Sequence, residues 1–312
     1  MDGSCLPISH FTYSKFDKIE LVTQAIGVSE ANVWRVSASE ESEARNDVLA
    51  VEEPLEIRLG VPGRGKHKAI SVTMRTPGHD FALAAGFLFT EGILKSSSQI
   101  TKIHHCGIPA RGRNVRNTVV VELAPNVEVD FERLKRNFYT TSSCGVCGKS
   151  SIDALYAHAK KIDDPFYPRY SAKLIHRLPE LARDAQEVFD QTGGLHASTL
   201  FISSGEIEII REDVGRHNAL DKLIGAKFLA GETSLPDKIL LVSGRASFEL
   251  VQKALMAGIR IMAAVGAPSS LAVELAREYG MTLIGFARDN RFNIYSNPER
   301  IVFDDQAIGM RL

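Results

Sequence analysis

From Lys238 to Phe286 the chain alternates short apolar runs with stretches of helical spacing, and this alternation constrains the fold most. Lys238–Val242, Ile259–Ala264 and Thr282–Phe286 read as strands, and Phe248–Ala257 and Leu271–Glu278 as the helices between them. A strand that returns through a helix pairs in parallel with its predecessor, so this half predicts an α/β sheet covered on both faces. Ahead of it, Leu181–Phe189 reads as a helix stopped by Gly193-Gly194, Ser198–Ser203 and Glu206–Ile210 as a hairpin around Ser204-Gly205, and Asn218–Leu229 as a helix.

The first half has a different rhythm. Residues 1–30 show little period and read as a lead-in. Asn32–Val36 predicts a short strand, and Ser37–Asp47, rich in Ser, Glu and Ala, a loop or short helix. Leu55–Leu59 and Ala69–Met74 alternate apolar and polar residues around the Gly60–Gly65 turn, a hairpin signal. Pro77 opens a buried helix that carries Phe81, Leu83, Phe87 and Leu88 and ends near Gly92, with His79 and Asp80 as its caps. Thr118–Leu123 predicts a strand and Phe131–Phe138 a short helix. The organisation expected is a lead-in (1–30), an N-terminal α+β domain (31–140), a connecting loop and helix (141–170) and a C-terminal α/β domain (171–312).

Composition sets the class. The chain has 312 residues, is 44% hydrophobic and carries a formal charge of -1, so no global field recruits nucleic acid or an anionic membrane. No run approaches a membrane span, and the first fifteen residues lack a secretory pattern. Arg111, Arg113 and Arg116 read as a solvated loop. Four cysteines in a chain this long are too few for a disulfide scaffold, so a reducing cytoplasm is the expected setting.

Two of those cysteines, Cys144 and Cys147, stand three apart in Ser142-Ser143-Cys144-Gly145-Val146-Cys147-Gly148-Lys149. The thiolate is the reactive form, and free cysteine titrates near ~8.5. Lys149, the amides around Gly145 and Gly148, and a helix start at Ser150-Ser151-Ile152-Asp153 all favour the thiolate, most of all at Cys147. Three readings stay open. One is sulfur transfer through a persulfide, with the second cysteine aiding release. Another is a thioredoxin-like oxidoreductase, disfavoured by the Gly/Ser loop setting. The third is a structural zinc completed by His104, His105 and Cys106, in a non-catalytic chaperone. The segment Gly194-Leu195-His196-Ala197-Ser198 is close to half of a zinc-deaminase signature, but Ser198 replaces the catalytic glutamate.

The ordered set of motifs resembles the FdhD family, the formate dehydrogenase accessory sulfurtransferases. It comprises Met74–Leu88, Thr90–Ile93, Ser143–Gly148, Thr192–Ala197, Glu212–Lys222 and Ser243–Glu249. The resemblance implies a three-layer C-terminal domain similar to cytidine deaminases beside a smaller N-terminal α+β domain, and a homodimer. It implies a protein that takes sulfur from a cysteine desulfurase and passes it to the molybdenum (or tungsten) bis-pterin guanine dinucleotide cofactor of formate dehydrogenase, a bound client and not a permanent cofactor. In this family the first cysteine of the motif carries the persulfide, which maps to Cys144, with Cys147 in support.

The family's cofactor-binding stretch maps onto Phe286-Ala287-Arg288-Asp289-Asn290-Arg291, read as a loop at the carboxyl end of the last core strand. Arg288 and Arg291 supply forked donors suited to phosphate. Arg216 and His217 open a helix after Gly215, a ready anion site, although Asp213 is an equally good cap for that helix. Arg245 is a further phosphate candidate, with an ion pair to Glu249 as the alternative.

Overall fold

The computed structural model describes residues 27–39, 41–60, 67–107, 109, 116–125, 127, 129, 159 and 161–303. Strands β1 (Val28–Val36) and β2 (Ser42–Ala50) form a two-stranded antiparallel hairpin, paired without a break from Val28↔Ala50 to Val36↔Ser42. The loop or helix expected over Ser37–Asp47 is thus largely strand. Ser, Glu and Arg give β2 no apolar alternation, and its conformation comes from its hydrogen-bonded partner.

A four-stranded sheet follows in the order β4-β3-β6-β5. Its members are β3 (Glu53–Gly60), β4 (Lys68–Arg75), β5 (Ile100–Cys106) and β6 (Thr118–Leu123). The β3–β4 hairpin is the one expected, whereas β5 went unread because its two histidines and lysine hide the alternation. Helix α1 (Asp80–Thr90) covers one sheet face and is apolar nearly all round, as a helix buried on several sides must be. His79 occupies its N-cap with φ 56° and makes no side-chain cap bond. Asp80 does not cap either. It accepts Arg75 Nε at 2.9 Å and Nη2 at 2.8 Å, with His105 Nε2 3.1 Å away. Burial opposes its charge, but these bonds win and hold the carboxyl well below the usual range.

The second half is a six-stranded mixed sheet in the order β13-β12-β11-β10-β8-β9. Strands β10 (Ile239–Val242), β11 (Ile261–Ala264) and β12 (Thr282–Arg288) are parallel, as the alternation requires. Strands β8 (His196–Phe201), β9 (Ile207–Asp213) and β13 (Arg291–Ser296) flank them antiparallel. Two-residue strands β7 (Tyr170–Ser171) and β14 (Ile301–Val302) pair separately. The helix read over Leu181–Phe189 is two: α2 (Ala172–Asp184) and α3 (Glu187–Thr192). The chain restarts because Glu212, distant in sequence, accepts the amides of Val188 at 3.1 Å and Phe189 at 3.0 Å and so caps α3 from outside. Helices α4 (Arg216–Leu229), α5 (Phe248–Met256) and α6 (Ser270–Glu278) pack with α1 on one sheet face, through Leu200, Leu240, Val242 and Met262. Helix α2 closes the other face over Phe201, Leu241 and Ile284.

The two sheets share one continuous apolar cluster, running from Leu55 to Leu283. Its tightest joint is between α1 and α4, where a Cβ on Gly86 would lie 1.9 Å from the Asp221 carbonyl and one on Gly225 1.8 Å from the Ala82 carbonyl. Neither position admits a side chain. Beside this joint Lys253 donates to Asp221 Oδ2 at 2.9 Å and Thr90 Oγ1 at 2.9 Å. Burial penalises its charge, but the Asp221 and Glu91 carboxylates outweigh that and keep it protonated.

Candidate functional site

The carboxyl ends of β10 and β11 lie beside the middle of β12; the chain leaves β10 through Gly244 and β11 through Gly266, and Gly285–Phe286 is where β12 bulges. Hydrogen bonds carry the sheet past its last strand residues. Gly266 N–H donates to Gly244 O at 3.0 Å, Phe286 N–H to Gly266 O at 3.0 Å, and Ala246 N–H to Ala267 O at 3.2 Å. A Cβ on Gly266 would lie 3.0 Å from the Gly244 carbonyl and 3.1 Å from Arg245 Cα, so two backbone turns touch here, while Gly285 is buried under Pro268 Cδ and the Tyr295 ring. Open α/β sheets take ligands at such an edge.

Phe286–Arg291 sits at this edge, though its form differs from the expected loop. It is the bulged end of β12, a two-residue turn and the start of β13. Phe286 holds φ 53°, a left-handed conformation that costs a bulky aromatic about 1–3 kcal/mol. Asp289 and Asn290 follow at φ 53° and 55°, as a tight hairpin turn requires. The turn sets Arg288 directly opposite Arg291. Like charges facing across a ladder repel, and Arg288 finds only an exposed carboxylate, Asp289, at 3.7 Å. Two adjacent guanidinium forks are a receptor for a bidentate oxyanion such as phosphate.

Further along the same edge the N-termini of α4 and α5 approach Gly244. A Cβ there would lie 3.4 Å from the His196 ring and 4.0 Å from Arg216 Cδ. Neighbouring α6 is capped by its own Ser269, but α4 (N-cap Gly215) and α5 (N-cap Ser247) have no side-chain cap bond. The first amides of α4 are therefore open to an anion, whereas at α5 the Glu249 carboxylate accepts its own first-turn amide. Arg216 Nε and the Ser198 hydroxyl are both buried without a hydrogen-bond partner among the described residues. Buried polar atoms are rarely left so, and a ligand that reaches them explains both.

Asp213 belongs to the turn and not to the α4 cap. It accepts Gly215 N–H at 2.8 Å and Asn218 Nδ2 at 3.1 Å, and pairs with Lys222 at 2.7 Å. Glu249 lies 3.8 Å from His217 instead of pairing with Arg245, which is exposed. Burial works against the Glu249 charge, while its own amide, the Ser247 hydroxyl, His217 and Arg216 hold its carboxyl below the usual range. His217, 38% exposed at its side chain, is pushed down to about 4 by burial and then by the Lys253 and Arg216 charges. His196 is lowered too, by burial first and Arg216 second. Both imidazoles are thus neutral donors or acceptors near neutral pH, and the positive charge of the site comes from arginine. Ser198, Glu249 and the glycines of this edge were not singled out from the sequence as ligand-facing. The small-residue pattern around Gly244 and Gly266 was the available signal.

Cys144 and Cys147, with the helix start expected after them, lie outside the described residues, as does the helix expected over Phe131–Phe138. Among the described residues, the three candidates for completing a zinc site are placed as follows. His104 and His105 point to opposite faces of β5, His105 is held by Asp80, and Cys106 is disulfide-bonded.

The chain matches the FdhD/NarQ family over residues 50–302. It belongs to that family. It is 53% identical over 259 residues to the sulfur carrier protein FdhD of Streptomyces avermitilis, covering 82% of this chain and 90% of that one. To the protein of the same name from Mycolicibacterium paratuberculosis it is 49% identical, covering 83% and 93%, and to that of Thermoplasma volcanium 42%, covering 82% and 90%. The fold is similar to a crystal structure from Desulfotalea psychrophila named for a formate dehydrogenase accessory protein. The TM-score is 0.66 at 23% identity, with 88% of this chain and 99% of that chain covered. No helix among the described residues is long and apolar enough to cross a membrane.

Proposed function

We propose that this FdhD/NarQ member is a cytoplasmic sulfur carrier that hands a sulfur atom to the bis-pterin guanine dinucleotide cofactor of a formate dehydrogenase. The observation that supports it most is the opposed pair Arg288 and Arg291 on a strained turn, along one edge with the orphaned Arg216 Nε and the uncapped start of α4. That edge suits the phosphates of a dinucleotide, with Phe286 and Ala287 beside them for the base, Asp289 and Asn290 shaping the turn, and His217 and Arg245 flanking. The mixed sheet between two helical layers is the setting in which a cytidine-deaminase-like domain with Ser198 for glutamate fits this role.

The Cys144 thiolate attacks the terminal sulfur of a persulfide on a cysteine desulfurase. The donor cysteine departs as thiolate and Cys144 becomes the persulfide. Cys147 thiolate then attacks the inner Cys144 sulfur. The outer sulfur leaves as sulfide to the cofactor, and the Cys144–Cys147 disulfide takes two electrons from a thiol reductant to reset. The carrier works as a homodimer and serves formate dehydrogenase as client.

Intact mass after incubation with a desulfurase and cysteine tests this. One added sulfur is expected on the wild type and none on Cys144→Ala. Persistence of the added sulfur in Cys144→Ala would move the carrier role to another thiol.

A further inference from the structure

The β1–β2 hairpin stands out from the body, packing chiefly against α3 at its base. A lone two-stranded hairpin is marginally stable in water, yet this one keeps nine paired residues on each strand. Its faces differ. Cross-strand partners share a face, so Trp34, Val36, Ala44 and Val48 lie together on a side whose one charge is Glu30. The other side carries Arg35, Glu43, Arg45 and Asp47, two of each sign. Trp34 is 72% exposed and Val36 65%. Asn32, Asn46 and Ser42 share the Trp34 side, which is thus nearly uncharged and apolar mainly toward its tip; it has little attraction for a charged partner, and a chain of net charge -1 meets little repulsion from its own copy.

We infer that this hairpin is a dimerisation arm whose Trp34 face lies on the body of a second copy of the chain. The inference rests on the homodimer reading above and names its surface. Nine residues at about 3.4 Å each and two strands about 4.8 Å apart give a face of roughly 300 Å². Two arms meeting each other would bury about 600 Å² in total, below a stable interface, whereas two arms exchanged onto opposite bodies bury about 1,200 Å², the lower bound for one. The receiving surface sits at the foot of the arm, where Gly27 abuts Thr76 at the end of β4, and where Val72 and Met74 are 55% and 47% exposed. A two-fold axis brings each tip to the other's foot, so one contact supplies both halves of a closed, isologous interface.

Trp34 is the single tryptophan of the chain, so it reports on its own burial. Sedimentation velocity of the full chain over about a hundredfold concentration range should be run with tryptophan emission and acrylamide quenching on the same samples. The expected result is a monomer–dimer equilibrium in which emission moves to shorter wavelength and quenching falls as dimer forms. Val36→Glu and Met74→Glu keep the tryptophan and should each weaken the dimer about tenfold or more, near 1.4 kcal/mol, with circular dichroism unchanged. A stable dimer whose Trp34 stays fully quenchable overturns the arm and leaves the dimer reading standing. A monomer at every concentration overturns both, and if its emission then shifts only on adding desulfurase or formate dehydrogenase, the arm is a hetero-docking surface instead.

Discussion

The joint between α1 and α4 and the ligand edge above β10–β12 are both built on glycine, but to opposite ends. At the joint, Gly86 and Gly225 let two helix backbones touch, and the neighbouring charges are fully paired, Lys253 with Asp221 and Glu91. At the edge, Gly244 and Gly266 also let backbone turns approach each other, yet two polar groups beside them are left without partners among the described residues. Arg216 Nε and Ser198 Oγ lack partners among the described residues, α4 has no side-chain cap, and Phe286 is strained. One region has spent its polar groups on folding. The other leaves them open, as the proposed binding role requires.

The contrast breaks most visibly at the joint. Gly86→Ala forces a methyl into the Asp221 carbonyl, so helices that cannot separate without opening the core must do so. The expected loss is about 3 kcal/mol or more, the upper end for overpacking, read as a drop in the urea midpoint. A loss under about 0.5 kcal/mol, the size of a neutral surface change, would show that the joint is not close-packed.

The edge should respond the other way. Arg216 Nε and Ser198 Oγ have no hydrogen-bond partner among the described residues, so Arg216→Gln and Ser198→Ala should leave stability within about 0.5 kcal/mol. Calorimetric titration with GDP, a fragment of the client dinucleotide, should show roughly tenfold weaker binding for Arg216→Gln, about 1.4 kcal/mol. Stability lost with GDP affinity intact would move Arg216 into the structural class.

The smallest effect sharpens the comparison through pH. His217 has its pKa lowered to about 4 in the folded chain, against about 6.5 when unfolded. Between those values the unfolded chain binds a proton that the folded chain does not, so stability rises with pH across that window and is flat above it. His217→Gln should reduce the slope of the denaturation midpoint between about pH 4 and 6.5. An unchanged slope would mean that the ring titrates normally.

Much of this was legible in the residues. The β10–α5–β11–α6–β12 run shows its period because each element buries a regular face, and the segments around Arg216, Arg245 and Phe286–Arg291 were picked out with the family resemblance, the last reading on its residues alone as a charged surface turn. The β2 strand, the α2–α3 break and the bulged β12–β13 hairpin were not legible. Each depends on a partner remote in sequence: β1 for β2, Glu212 for α3, and the Gly266 carbonyl for Phe286.

The alternating β10–α5–β11–α6–β12 run, the family and the residue types at the candidate site were determined by the sequence alone, since periodicity and motif are local properties of the chain. Tertiary structure decided which polar groups stay unpaired, which two arginines face each other, and which helix ends remain open. Satisfaction of a hydrogen bond is a property of neighbours in space, and no window of sequence contains them.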